Sequence, residues 1–369
     1  MYFRLSLIFI LITFFSCKTN SEKVSDESIL HVELEESELM NIEKFEILEL
    51  IPLETNQFNL MGLDLRVHQN EESYYVMDIG TRDAVHQFSS DGKYLGAAAS
   101  IGEGPGQLLG LQDFQIDNEG NLLVLSSLGD KSTIIKIEDV ARLTTVFETD
   151  YLAGSFTIPS SGNFLLAGGY NLPIVANRVV LTDSIGIIQS TFLPNDYENE
   201  MLPMGERNFY ESGENLLYSE IFNNRVYEYS EAGLMPILEI DMGKYSLPDN
   251  FWDVDLMVGF SRLQENGFAT IKSVFEDDSN YLVNIHIQSK AGSFKKLLLI
   301  NKETGNSNYW DGTSSEEEVY SDPIAMENGE ITFLTYHSVL KKKLEGDLPP
   351  NLQEMNYDYP ILLTTKIND

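Results

Sequence analysis

The side chain with the sharpest chemical signature is Cys17, the only cysteine in 369 residues, which follows the apolar run Leu11-Ile12-Thr13-Phe14-Phe15 and the small Ser16. Arg4 and the amino terminus give a positive start, and Leu5 to Phe15 is too short to span a bilayer. Residues 1–16 therefore read as the cleaved signal of a lipoprotein, although Phe14 stands where leucine is commoner. A thiol at the cut point can carry acyl chains, each buried methylene adding about 0.8 kcal/mol of membrane affinity. The expected location is the cell envelope, on the outer membrane through acylated Cys17.

Other reactive patterns are weaker. The histidines His31, His68, His86, His286 and His337 include no pair at metal-ligand spacing, so separate structural roles are expected. Glu276-Asp277-Asp278 is the densest acidic loop and the one candidate for calcium, but it lacks the spaced Asp-x-Asp-x-Asp-Gly pattern, and no cofactor is expected. Gly102-Glu103-Gly104-Pro105-Gly106 lacks the Lys-Ser/Thr ending of a phosphate loop, and Gln107 spoils a dinucleotide fingerprint. It reads as a tight connection with several glycines at positive φ. No Gly-x-Ser-x-Gly elbow occurs, so nucleophilic hydrolase templates find no support.

Charge narrows the partners. With 58 acidic and 24 basic residues the formal net charge is −34, which leaves no basic stripe for phosphates and excludes nucleic acid as a partner. The hydrophobic fraction of 43% suffices for a large core, which must hold by packing because no second cysteine exists. Residues 17–43, rich in Ser, Glu, Asn and Lys, read as a lipidated N-terminus and flexible tether, with the folded body at 44–369. No later window is long and apolar enough for a transmembrane helix.

The body repeats one unit: an alternating strand, a polar turn, then a strongly apolar strand. Phe114 to Leu125 around Asp117-Asn118-Glu119-Gly120 is the clearest of six copies, whose turns fall near residues 70, 120, 162, 213, 267 and 329, the last two at Asn266-Gly267 and Asn328-Gly329. A spacing of roughly 40 to 60 residues fits four short strands per unit, the size of a propeller blade. The expected fold is all-β, a six-bladed β-propeller with four antiparallel strands per blade. A pair of β-sandwiches is the other architecture, but it gives no reason for the turns to keep phase along the whole chain. A ring must close to avoid open strand edges, and Phe45 to Ile51 is expected to pair with Ile361 to Ile367 as the outer strand of the last blade.

The strings Ile51-Pro52-Leu53-Glu54-Thr55, Tyr75-Val76-Met77-Asp78, Ile101 to Gln107 and Tyr359-Pro360-Ile361-Leu362-Leu363 span the body. In these strings the sequence resembles the six-bladed β-propeller lipoproteins encoded in large numbers by Bacteroidetes, related in architecture to NHL-repeat propellers. Glu103 departs from that family, which commonly has a basic residue there. The resemblance implies fold and location and brings no general catalytic activity.

In a propeller, the second-to-third-strand loops and the connections between blades share one face around the channel mouth. The first class supplies Arg82, Asp83, Lys131, Tyr170 and Asn171, together with Asn224, Arg225 and His337. The second supplies Glu103, Tyr197, Trp252 and Trp310. Rings beside amide and charged groups suit glycans or peptides, because a ring stacks on an apolar face while polar groups fix orientation. The expected function is a ligand-binding or protein-interaction module, with envelope proteins as a further class of partner. The alternatives are a lyase or hydrolase using channel-mouth carboxylates or a metal, and a plain scaffold.

Overall fold

The computed structural model describes residues 29–139, 142–160, 162–171, 174–196, 207–213, 215–314, 317–344, 348–353 and 355–368. The signal, Cys17 and Tyr197 lie outside them. The described residues form six sheets, each built on four antiparallel strands, arranged as a six-bladed β-propeller. Blade 1 runs from Leu65–Gln69 to Tyr94–Ser100, blade 2 from Asp113–Ile116 to Arg142–Thr149, and blade 3 from Ser155–Ser160 to Ile188–Pro194. Blade 4 runs from Phe209–Ser212 to Gly233–Asp241, and blade 5 from Phe268–Glu276 to Ser307–Asp311. Blade 6 holds Pro323–Glu327, Glu330–Tyr336 and Pro360–Ile367.

The first strands of successive blades touch one another and line the axis. Second strands such as Ser73–Asp78 are buried on both faces because a blade packs on either side, which is why they read as continuous apolar runs. Turn chemistry sets the hairpins. Asp117 Oδ1 accepts from the backbone N–H of Glu119 (2.9 Å) and Asn121 (2.8 Å), so the aspartate side chain closes the bend.

The ring closes where the alternation predicts. The strand β3 (Phe45–Pro52) pairs antiparallel with Pro360–Ile367, Phe45 opposite Ile367 and Pro52 opposite Ile361. Phe45 stacks on Tyr320 at 4.7 Å and meets Trp310 edge-on at 5.2 Å. Trp310 is fully buried and donates its indole N–H to the Tyr320 carbonyl at 2.9 Å, so this ring holds blade 5 to blade 6 and does not face the loop surface expected for it.

Three expectations are corrected. Part of the presumed tether belongs to the folded body: β1 (Leu30–Glu33) adds in parallel to the outer strand of blade 4, and β2 (Glu38–Leu39) to that of blade 5. Asn266-Gly267 is not the turn of the fifth repeat. It ends helix α1 (Leu256–Asn266), Gly267 taking φ +83, while the turn itself is Asp277 to Ser279, closed by Asp277 Oδ1 on the N–H groups of Ser279 and Asn280, both at 2.8 Å. In the 102–106 connection only Gly106 has positive φ. A Cβ at Gly102 or Gly104 would displace the end of the flexible Gln107 side chain, whose carboxamide folds back to accept from Gly104 N–H at 2.8 Å.

Candidate functional site

At the channel mouth the first strands bring charges together from blades far apart in sequence. A cavity of about 80 Å³ is lined by Asp64, Arg66, Arg207, Lys272, Ser273, Asn284 and Asp322, with apolar walls from Leu63, Ile79 and Leu334. It adjoins a second cavity of about 340 Å³, which shares Leu63, Asp322 and Leu334 and adds His286, Phe294, Lys295 and Tyr336.

The ion pairs are ordered by burial. Arg66 and Asp113 form a pair with both side chains buried, and Asp113 Oδ2 also accepts from Phe156 N–H at 3.0 Å, tying blades 1, 2 and 3 at the axis. Lys272 reaches Asp64 at 3.1 Å, and Lys295 spans both oxygens of Asp322 at 2.8 and 2.9 Å. Arg207 differs. Its guanidinium lies over the Tyr210 ring at 4.8 Å and the Phe275 ring at 5.7 Å, and its Nε donates to the Phe209 carbonyl at 3.2 Å. Among the described residues no carboxylate lies within ion-pair distance of it. Burial lowers its pKa and the neighbouring Arg66 adds to this, while Tyr210, Glu211 and Asp113 oppose them.

Two histidines are kept neutral here. Burial, then the fields of Arg207 and Arg66, push His68 well below its usual range. Burial and Lys295 push His286 down to about 4, against the pull of Asp322. Ser273 Oγ, Asn284 Oδ1 and Thr335 Oγ1 are buried and have no hydrogen-bond partner among the described residues. Asn284 Nδ2 donates to the Ser321 carbonyl at 3.2 Å, which leaves the carbonyl oxygen of this lining residue as an acceptor.

Of the residues singled out from sequence, Arg82 joins this group. It takes φ +49, uncommon for a residue with a Cβ, and donates to Gln112 Oε1 in the connection to blade 2. Its pKa is lowered by burial and by Arg66. Asp83 accepts from Thr81 Oγ1 at 2.8 Å, Glu103 is exposed, and Lys131 is an exposed partner of Glu148.

Tyr170, Asn171 and Trp252 gather elsewhere. Trp252 stacks on Tyr170 at 4.7 Å within a cluster containing Phe222, Phe251 and Leu263. Beneath it Arg178 and Glu220 form a buried ion pair, with both carboxylate oxygens 3.0 Å from the arginine Nε. Arg225 pairs with Glu239 at 2.9 Å and Asn224 donates to the Ile240 carbonyl at 3.2 Å, beside a cavity of about 990 Å³ rich in carboxylates. His337 opens helix α2 (His337–Lys343) and its Nε2 lies 2.8 Å from the Leu352 carbonyl, so it fastens the insertion of blade 6.

In the acidic loop, Glu276 pairs with Lys302 at 2.8 Å and Asp277 caps the turn, so two of its three carboxylates have protein partners. Among the described residues no group of three or more His, Cys, Asp or Glu side chains is placed to hold a metal ion.

Sequence reading missed Arg207, Lys272, Ser273, Asn284 and His286. Arg207 did leave a signal: in a chain with few cations, it stands two residues before a first strand, where Asp64 and Arg66 also cluster.

Residues 29–356 match a family described as a domain of unknown function, DUF4934. The chain belongs to this family. The DUF4934 fold recurs in a crystal structure of a protein from Bacteroides fragilis described as exported, at 16% identity and a TM-score of 0.72, covering 92% of this chain and all of that one. A virginiamycin B lyase from Staphylococcus aureus is a looser likeness, at 11% identity and a TM-score of 0.43, covering 87% of this chain and 99% of that one. No protein with a curated description matches the sequence.

Proposed function

We propose that this DUF4934 protein is an envelope binding protein, anchored through acylated Cys17, that holds a small polar ligand at the channel mouth. The observation that carries this is the set of buried groups that have no partner among the described residues around one cavity: Ser273 Oγ and Asn284 Oδ1, beside a guanidinium that no described carboxylate reaches. Buried polar atoms are ordinarily satisfied, and each unsatisfied one costs about 1 to 3 kcal/mol, so a ligand that completes them gains affinity from groups already fixed in place. The signal-like N-terminus and the exported description of the Bacteroides fragilis neighbour support the location.

The test is a thermal-shift screen of glycans, peptides and divalent cations, since a ligand of the folded state raises its melting temperature by mass action. Hits that survive in Trp252→Ala but vanish in Ser273→Val place the site at the mouth, and the reverse moves it to the aromatic cluster. Mass spectrometry of mature Cys17 checks the anchor, and an unmodified thiol removes it.

One observation favours a lyase or hydrolase as a second reading. His286 is held neutral, its Nε2 has no partner among the described residues, and it shares a cavity with Tyr336 and the Lys295–Asp322 pair, which suits a general base. Turnover of a screened ligand, abolished in His286→Asn with binding retained, would establish it.

A further inference from the structure

Building on the channel-mouth reading, we propose that the group bound there is a carboxylate with a hydroxyl on one of the two carbons next to it, as in an acidic sugar, with Arg207 as its anchor.

The charges of the mouth run against those of the chain. In a protein of net charge −34, the smaller cavity sets Arg66, Arg207 and Lys272 against Asp64 and Asp322. Both carboxylates are already engaged by lysines, and Arg66 is engaged by Asp113. Arg207 is the cation left over. Among the described residues its one hydrogen bond uses Nε and its terminal nitrogens have no acceptor, and a guanidinium edge matches the two oxygens of a carboxylate. A bound cation would meet three positive side chains.

The neutral groups refine the shape. Asn284 Oδ1 is fixed as an acceptor by the bond its amide makes to Ser321, so it asks for a donor that a bare carboxylate, sulfate or fully ionised phosphate does not have. A hydroxyl on one of the two carbons next to the carboxylate supplies it, while Ser273 Oγ can donate to the carboxylate. A water occupies about 30 Å³ in the liquid, so a cavity of about 80 Å³ holds two or three water-sized groups, enough for a carboxylate and one carbinol but not a sugar ring. The adjoining cavity of about 340 Å³ has room for the ring, with Thr335 Oγ1 and His286 Nε2 as unpartnered polar atoms in its wall.

The experiment is isothermal calorimetry on the full chain with glycolate and D-glucuronate, which carry both groups, against acetate, which lacks the hydroxyl, and D-glucose, which lacks the carboxylate. D-glucuronate should bind at least about tenfold tighter than acetate or D-glucose, since charge-assisted bidentate contacts are the strong ones. Arg207→Lys keeps the charge but loses the fork and should weaken D-glucuronate about tenfold with the melting temperature unchanged. Ser273→Ala should weaken it about two- to fivefold, the scale of one neutral hydrogen bond. Glycolate binding without D-glucuronate would identify the acid as a small hydroxy acid and retain the anchor. D-glucose binding as well as D-glucuronate, with both lost in Asn284→Ala, overturns the acid class and keeps the mouth as the site. D-glucuronate affinity identical in Arg207→Lys and Arg207→Gln overturns both, and absence of binding by both acids overturns the proposal.

Discussion

Blades 4, 5 and 6 share one hydrophobic interior that runs from Tyr210 and Leu238 through Val283 and Trp310 to Phe333 and Leu363. Blades 1, 2 and 3 are joined by smaller separate clusters, one at each junction, such as Phe114 with Met77 between blades 1 and 2 and Phe156 with Leu125 between blades 2 and 3. The difference lies in the N-terminal segment. β1, β2 and β3 lie on the outer edges of blades 4, 5 and 6 in turn, and Val32, Leu34 and Phe45 from this segment are members of the shared interior. Among the described residues nothing pairs with the fourth strands of blades 1 to 3. One half of the ring is stitched by chain from outside its repeats, and the other half rests on contacts between neighbouring blades, as in a linear repeat protein.

The largest effect should come from removing the stitch. A chain beginning at Leu53 lacks β1 to β3 and opens an edge on three blades, so calorimetry should show the cooperative melt lost. A melt matching the full protein would break the comparison outright. Next, Trp310→Ala should cost about 3 to 5 kcal/mol, the range for deleting a large buried ring. In hydrogen exchange it should lower protection throughout blades 4 to 6, whereas Phe156→Ala should act on blades 2 and 3 alone. Equal spread of the two effects would make the ring a single cooperative unit.

A third, smaller effect concerns pH. His68 and His286 are held neutral in the folded protein, while unfolded imidazoles titrate near 6.5. As pH falls from 6.5 toward 4 the unfolded chain takes up protons that the folded chain refuses, so the stability these groups give is complete above 6.5 and is lost on acidification. The melting temperature should fall across that window, and His286→Asn should flatten the fall. Because burial also lowers the pKa of His86, which shares blade 1 with His68, that blade should lose exchange protection first. Smallest of all, Ile188→Lys on the open edge of blade 3 should change stability by no more than about 0.5 kcal/mol, as for other exposed positions.

Much of the frame was legible in the amino-acid order, because strands and turns are set by residues that are neighbours along the chain. Asp117 closes its own hairpin, Ser73 to Asp78 reads as a strand buried on both faces, and two unpartnered apolar strands at opposite ends were enough to give the closing pair Phe45–Ile367. Local pattern failed where it was weak or shared. Leu30 to Glu33 and Glu38-Leu39 are too short and polar to read as strands, and they are held by edges more than 200 residues away. Asn266-Gly267 has the chemistry of a hairpin turn and serves instead as a helix terminus. The site was decided by tertiary structure alone: only closure of the ring brings Arg66, Arg207, Ser273 and Asn284 around one small cavity, and no spacing in the sequence records a contact made across the axis of a propeller.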